Sequence, residues 1–199
     1  MTYIFAGWLL VLIHFRINGF DILPDFIGYG LIFAGVDRLS ARSNYFHKAR
    51  IFALLMCAVS FGELLHLETV VTEHESLFMV VLMAVSALLM LVPLYLMYLI
   101  TKGVAELEWD MGVHLGADKL MLVWKINATV TLLLSVMIVL SVTLLNILAG
   151  IQVLAAVLMI GVLIVNIAWV ICFYGCKKQY DAAEAEMTAQ QNENDVLAD

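Results

Sequence analysis

The chain has 199 residues, of which 64% are hydrophobic and 14% are charged, and its formal net charge is -7 at pH 7. A soluble globular domain usually carries about 25% charged and under 50% apolar residues, so a water-soluble fold of this length could not bury so much apolar surface. The acidic balance also argues against nucleic acid as a partner.

The first half of the chain predicts three short transmembrane helices, at about 3–18, 24–40 and 45–71, since a bilayer crossing takes roughly 20 residues. The Asn18-Gly19 pair ends the first helix, and Pro24 begins the second, where its missing N–H costs nothing. No Lys or Arg precedes Arg16, so we expect the first helix to be retained rather than cleaved as a signal peptide.

The second half predicts three further helices, at about 77–100, 127–147 and 151–174. The segment 126–176 carries no charge, and as one helix it would be about 75 Å long, more than a bilayer accommodates. We therefore expect a turn at Asn146 to Gln152. The sequence thus predicts an all-α, six-helix transmembrane bundle over residues 1–176, followed by an acidic cytoplasmic tail over 177–199, disordered or a frayed helix.

The basic residues set the orientation, because short loops rich in Lys and Arg stay in the cytoplasm. The segment LETVVTEHES has neither residue and is predicted to be external. With six crossings both termini lie in the cytoplasm, and a re-entrant hairpin formed by the first two helices would leave this unchanged. A cytoplasmic location is predicted for every Lys and Arg except Arg16. These residues are Arg38, Arg42, Lys48, Arg50, Lys102, Lys119, Lys125, Lys177 and Lys178.

Ionisable residues in the first three helices are the main functional candidates, because such groups are rare in membranes and tend to face the bundle interior. Helix lengths predict that they share one layer in the outer half of the bilayer, as a polar pit. Three interpretations stay open: structural pairing between helices, a solute or proton site, and a metal site built on Glu63-x-x-His66. The candidate residues are His14, Arg16, Asp21, Asp25, Glu63 and His66.

Other polar and small residues have structural interpretations. Glu106, Asp110, His114 and Asp118 recur every four residues and would form a solvated face on one helix, with Trp109 and Trp124 at the lipid headgroups. Asn127, Asn146, Gln152 and Asn166 are predicted to form interhelical hydrogen bonds or turns. The small residues of Gly30-x-x-x-Ala34 favour close helix contact.

The stretch INGFDILPDFIGYGLIFAGVDRLSARSNYFHKA resembles an element of small multi-spanning bacterial membrane proteins, and the resemblance is sharpest over 21–29. It implies a shared hairpin and a bacterial cytoplasmic membrane location, but no activity. The nonapeptide DILPDFIGY is also similar to the D-L-I-P-D-F-I-P run of another bacterial family, from which it differs at Gly28. We interpret that similarity as convergent helix-capping chemistry.

The chain carries no catalytic signature such as G-x-S-x-G, H-E-x-x-H or a phosphate-binding glycine loop, so no catalytic residue, metal or cofactor is predicted. Two functions are left. The first is a non-enzymatic regulatory or assembly component, with the lipid bilayer and a membrane or cytoplasmic protein as partners. The second is a small transporter or ion-coupled carrier that uses the polar pit.

Overall fold

A computed structural model of the protein describes residues 1–13, 16–17, 20–21, 25–64, 89, 91–143 and 149–198. These residues form six helices and one short antiparallel ladder. The helices are α1 (Thr2–Leu12), α2 (Asp25–Leu39), α3 (Asn44–Leu64), α4 (Leu91–Met111), α5 (Ala117–Thr143) and α6 (Ala149–Ala198). The ladder joins β1 (Arg16–Ile17) to β2 (Phe20–Asp21), with Arg16 opposite Asp21 and Ile17 opposite Phe20.

The described helices pack in a ring that follows chain order. Each helix contacts the next one along the chain, and α1 also contacts α6. Tight connections join α2 to α3 at 40–43 and α4 to α5 at 112–116, so helices on either side of these connections run in opposite directions. The all-α class predicted from the sequence is therefore confirmed for these six helices, with the four-residue ladder as an addition.

Glycines bring α1 and α2 into close contact. A Cβ atom added to Gly7 would lie 2.5 Å from the carbonyl oxygen of Gly28, and one added to Gly35 would lie 2.8 Å from the backbone nitrogen of Ile4. The prediction that Gly30 provides such contact was wrong, because a Cβ atom there would meet nothing within 4 Å. Gly28 and Gly35 are seven residues apart and so lie on one face of α2, whereas Gly30 lies on another.

The helix ends differ from the predicted ones. α1 ends at Leu12 rather than near residue 18, and the ladder follows it. α4 ends at Met111 rather than near 100, α5 begins at Ala117 rather than near 127, and α6 ends at Ala198 rather than near 174. The thickness of a bilayer limits the apolar part of a helix, but a helix continues through polar residues wherever good helix formers follow.

The C-terminal tail was predicted to be disordered or frayed, and the structure corrects this. α6 is one helix of 50 residues, which at 1.5 Å per residue is about 75 Å long. Its last described side chains after Ala183 are all exposed to solvent. The tail is rich in Ala, Glu and Gln, which have high helix propensity. Residues 65–88, which include the end of the predicted third helix and the first part of the predicted fourth, lie outside the described residues. Of the turn predicted at Asn146 to Gln152, residues 146–148 also lie outside them, whereas the remainder belongs to α6, which begins at Ala149.

Two of the described helices are long and apolar enough to cross a membrane, with candidate segments Ala117–Met137 and Leu154–Asp195, whereas Thr2–Leu12 is apolar but short. Only 28% of the best window in α5 and 11% of that in α6 is buried. The core helix of a soluble protein would be mostly buried. Soluble monomers rarely expose large contiguous apolar patches, yet α6 exposes Val157, Ile160 and Ile164 by about 60% each. This outer face is suited to lipid.

Candidate interaction surface at the charged end

Three segments distant in sequence meet at one end of the bundle, which we call the charged end: the α2–α3 connection, the α4–α5 turn, and α6 near Tyr180. The Arg42 guanidinium donates to the Tyr180 hydroxyl at 2.9 Å and lies 3.6 Å from Glu184. The Ser43 hydroxyl donates to the Glu106 carboxylate. These contacts join α2 and α3 to both α4 and α6.

The first residues of α1 lie at the same end. The Arg38 guanidinium lies over the ring of Tyr3, 4.2 Å from its centroid, in a cation–π contact. Burial raises the pKa of the Tyr180 hydroxyl above its usual value, although Arg42 acts in the opposite direction. Tyr180 therefore stays protonated at neutral pH and donates to Glu184. Since Arg42 and Glu184 are each about half exposed, their ion pair adds little stability and mainly fixes positions.

The α4–α5 turn is held by Glu108. Its carboxylate accepts hydrogen bonds from the backbone N–H of Ala117 at 2.9 Å and lies 2.8 Å from His114 Nδ1. Gly112 and Gly116 have φ values of +62° and +86°, which favour glycine. The predicted four-residue stripe therefore does not lie on one helix. Its residues are split between the end of α4, the turn, and the first turn of α5, because the two glycines reverse the chain.

Trp109 is the most exposed large side chain at this end, with 90% of its surface accessible. It lines two surface grooves. One has a volume of about 520 Å³ and lies between α4 and the α2–α3 connection, beside His47 and Asp110. The other has a volume of about 540 Å³ and lies over the α4–α5 turn, beside His114 and Asp118. We call Trp109, Asp110 and Asp118 with these grooves the Trp109 surface.

The chemistry of the Trp109 surface favours a cation. Asp110 and Asp118 make no ion pair with any described residue, whereas Glu108 is paired with His114. An indole ring attracts Lys or Arg side chains through its face, and carboxylates on both sides add Coulomb attraction. Large exposed aromatic side chains are also frequent energetic centres of protein interfaces. The surface is therefore suited to a Lys- or Arg-containing segment of another protein.

The residues of the predicted polar pit are described only in part. Arg16 and Asp21 lie directly opposite each other in the ladder. Asp25 is the first residue of α2, where negative charge is favoured, and its Oδ1 atom is buried. Glu63 belongs to the last turn of α3, whose Phe61 ring packs against Phe26 beside Asp25. His14 and His66 lie outside the described residues, so the convergence of all six stays a prediction.

Polar side chains also join α6 to α5 and to α4. The Asn127 side-chain nitrogen donates to Asn166 Oδ1 at 2.9 Å, which confirms for these two asparagines the predicted role in interhelical hydrogen bonding; their pairing with each other was not predicted. The Trp169 ring nitrogen donates to Thr101 at 3.3 Å, joining α6 to α4. Among the residues that the structure describes, no group of three His, Cys, Asp or Glu side chains could hold a metal ion.

The sequence had assigned Trp109 to the headgroup layer and had not identified it as an interaction surface. One local feature of the sequence argued against the headgroup assignment. Glu106, Glu108 and Asp110 surround Trp109, and acidic neighbours disfavour an anionic membrane surface. Comparisons with protein-family models, with curated proteins and with solved structures found no match to this chain. Its function therefore has to be inferred from its own residues and geometry.

Proposed function

We propose that this protein is a non-enzymatic component of the cytoplasmic membrane that crosses it six times, with both termini inside, and that regulates or assembles with a partner protein. The Trp109 surface is the observation that carries this proposal. It offers an exposed indole beside the carboxylates of Asp110 and Asp118, which make no ion pair within the described part of the chain. It also belongs to the charged end, where the basic connections predicted to be cytoplasmic meet. The partner contributes a Lys- or Arg-rich segment.

The surrounding contacts support a surface that is built in advance. Ser43 with Glu106 and Glu108 with Ala117 hold the two sides of Trp109 through hydrogen bonds within the protein. A preorganised surface loses less conformational entropy on binding than a mobile one. Since neither bond involves the side chain of Trp109, which is 90% exposed, Trp109 itself can be changed without opening the bundle.

The test places a photocrosslinking amino acid at position 109 in cells and identifies the adducts by mass spectrometry. We expect crosslinks to one protein through a basic segment. Matched probes replace Leu132, exposed by 52% on α5, and Met187, exposed by 43% on α6 beyond the bundle. Leu132 should give lipid adducts only. If position 109 also gives only lipid adducts, Trp109 is a headgroup anchor and the proposal fails.

Substitutions should then separate binding from folding. Trp109→Ala should abolish the complex while leaving the melting temperature of the purified protein unchanged, because exposed residues contribute within about 0.5 kcal/mol. The Asp110→Asn, Asp118→Asn double variant should weaken the complex and reduce its sensitivity to salt. The control is Glu193→Gln with Asp195→Asn, which removes the same charge from the exposed end of α6 and should leave the complex intact.

A carrier that uses the polar pit is the second candidate. The backbone register that sets Arg16 opposite Asp21, and the buried Oδ1 atom of Asp25, favour it, because they bring ionisable residues to one end of α2. In liposomes, Glu63→Gln should abolish ion-coupled flux and leave thermal stability unchanged. A lower melting temperature without any flux in the parent protein would instead identify the pit as structural pairing.

A further inference from the structure

An apolar groove lies on the outer side of the contact between α1 and α6. The rings of Phe5 and Tyr174 meet across this contact, with centroids 5.2 Å apart. Beside it the groove has a volume of about 310 Å³, and no polar atom lines it. Leu9 on α1 and Ile171 on α6 form its walls, and Ile171 is 66% exposed. The shape and the lining suit a hydrocarbon chain.

Two lysines follow the groove on the same face of α6. The groove-lining residues Ile167, Ile171 and Tyr174 recur at helical spacing, so the next positions on that face are Lys177 and Lys178. Lys177 Nζ lies 5.9 Å from the centre of the Tyr174 ring, so this lysine lies beside the end of the groove that Tyr174 lines. Lys178 is exposed and makes no ion pair with a described residue.

We propose that the groove binds one acyl chain of an anionic phospholipid, whose phosphate is bound by Lys177 and Lys178. The groove extends along about seven residues of α6, or roughly 10 Å, and therefore holds the part of the chain nearest the headgroup. The lysines begin where the apolar lining ends, which is the height at which the phosphate of such a lipid lies. The proposal rests on α6 lying in the membrane but not on the Trp109 surface.

An anionic lipid suits this site better than a zwitterionic one. Basic residues near a membrane surface attract anionic lipids, and Lys178 has no carboxylate partner among the described residues. Lys177 is paired with Asp181, 2.9 Å away, so Asp181 competes with the lipid phosphate for this lysine. Asp181→Asn should therefore strengthen the binding, which a purely apolar site would not show.

The experiment uses the purified full-length chain in a neutral detergent, with lipid binding followed by native mass spectrometry and thermal unfolding. Phosphatidylglycerol should bind with one-to-one stoichiometry and raise the melting temperature. Phosphatidylcholine with the same acyl chains should do so only weakly, and inorganic phosphate alone should have no effect. Binding of phosphate alone would identify a free-anion site, and equal binding of the two lipids would overturn the role of the lysines.

Variants test the two halves of the site separately. Lys177→Gln with Lys178→Gln should weaken phosphatidylglycerol binding by about tenfold or more, whereas Lys119→Gln with Lys125→Gln on α5 should not. Ile171→Trp should block the groove, whereas Leu122→Trp on the exposed face of α5 should not. Unchanged lipid binding by Ile171→Trp would overturn the proposal. So would a crosslinked dimer that forms without lipid and is lost in Ile171→Trp, because a second copy would then occupy the groove.

Discussion

At the scale of single residues, the close contact between α1 and α2 requires glycine at the positions where the two backbones meet. A Cβ atom added to Gly28 would lie 2.6 Å from Val11 Cγ2 and 2.9 Å from the Gly7 carbonyl oxygen. Backbone atoms cannot move aside as the end of a flexible side chain can. The two helices therefore pack closely only while these positions stay glycine, as small residues allow in membrane helix pairs.

Gly28→Ala should lower the unfolding free energy by about 1–3 kcal/mol, because the added methyl group forces the helices apart. The matched variant is Gly30→Ala, two residues away in the same helix and with nothing within 4 Å of its Cβ position. It should be neutral or stabilising by up to about 1 kcal/mol, since Ala favours helix more than Gly. Thermal unfolding in detergent checks both, and equal effects would refute the close contact.

At the scale of elements, a polar pair holds α5 against α6. Asn127 is only 2% exposed, and it donates to Asn166 across the helix contact. Removal of one partner leaves the other with an unmet hydrogen bond in an apolar environment. The pair therefore acts as a unit rather than as two independent side chains.

A double-mutant cycle with Asn127→Ala and Asn166→Ala should reveal a coupling free energy of about 0.6–2 kcal/mol. The double variant should lose less stability than the sum of the two single variants. Unfolding of the four proteins in one detergent measures this quantity. Strict additivity would mean that the bond adds nothing to the contact.

The C-terminal part of α6, after Lys178, has a first segment that packs against the bundle and a distal segment that does not. Ala183 is 6% exposed and adjoins Glu184, which contacts Arg42, whereas Ala189 lies on the exposed part beyond the bundle. Proline in a helix interior removes a hydrogen bond and clashes with the preceding turn. Ala183→Pro should therefore lower the melting temperature of the bundle, whereas Ala189→Pro should reduce only the helical circular dichroism signal. A lower melting temperature for Ala189→Pro would show that the distal extension stabilises the bundle.

At the scale of the whole molecule, the charged end is the feature from which we predict the orientation of the protein in the membrane. The contacts of Arg42 and Ser43 gather three distant segments there. Basic residues in short connections favour the cytoplasmic side, so we expect this end to face inwards. The exposed apolar faces of α5 and α6 then face the hydrocarbon of the bilayer.

Cysteine labelling in sealed vesicles tests that topology. In a background in which Cys57, Cys172 and Cys176 are replaced by Ser, new cysteines at Ala41 and Gln191 should react only from the cytoplasmic side. A cysteine at Glu73, in the predicted external segment, should react only from outside. Labelling of Ala41 and Glu73 from the same side would rule out six crossings, whatever the function of the protein.

Composition and charge patterning alone predicted the helical class, the positions of α2 and the start of α3, and the interhelical bonding role of Asn127 and Asn166, but not that these two bond to each other. These features are local or depend on the burial of apolar surface, which the sequence records directly. The end of α4, the start of α5 and the end of α6 were not predictable from the length of a membrane crossing. These helices continue through polar residues beyond the predicted spans, and Gly112 and Gly116 decide where α4 gives way to α5.

Only the tertiary structure decided which residues meet. The sequence contains several glycines and many charged residues, and periodicity does not identify Gly28 rather than Gly30 as a helix contact or Tyr180 as the partner of Arg42. Periodicity also does not show that Trp109 lines two grooves, and its assignment to the headgroups stays a prediction. Contacts between distant segments depend on the rotation and offset of whole helices, and these are fixed by the packing of all six helices together.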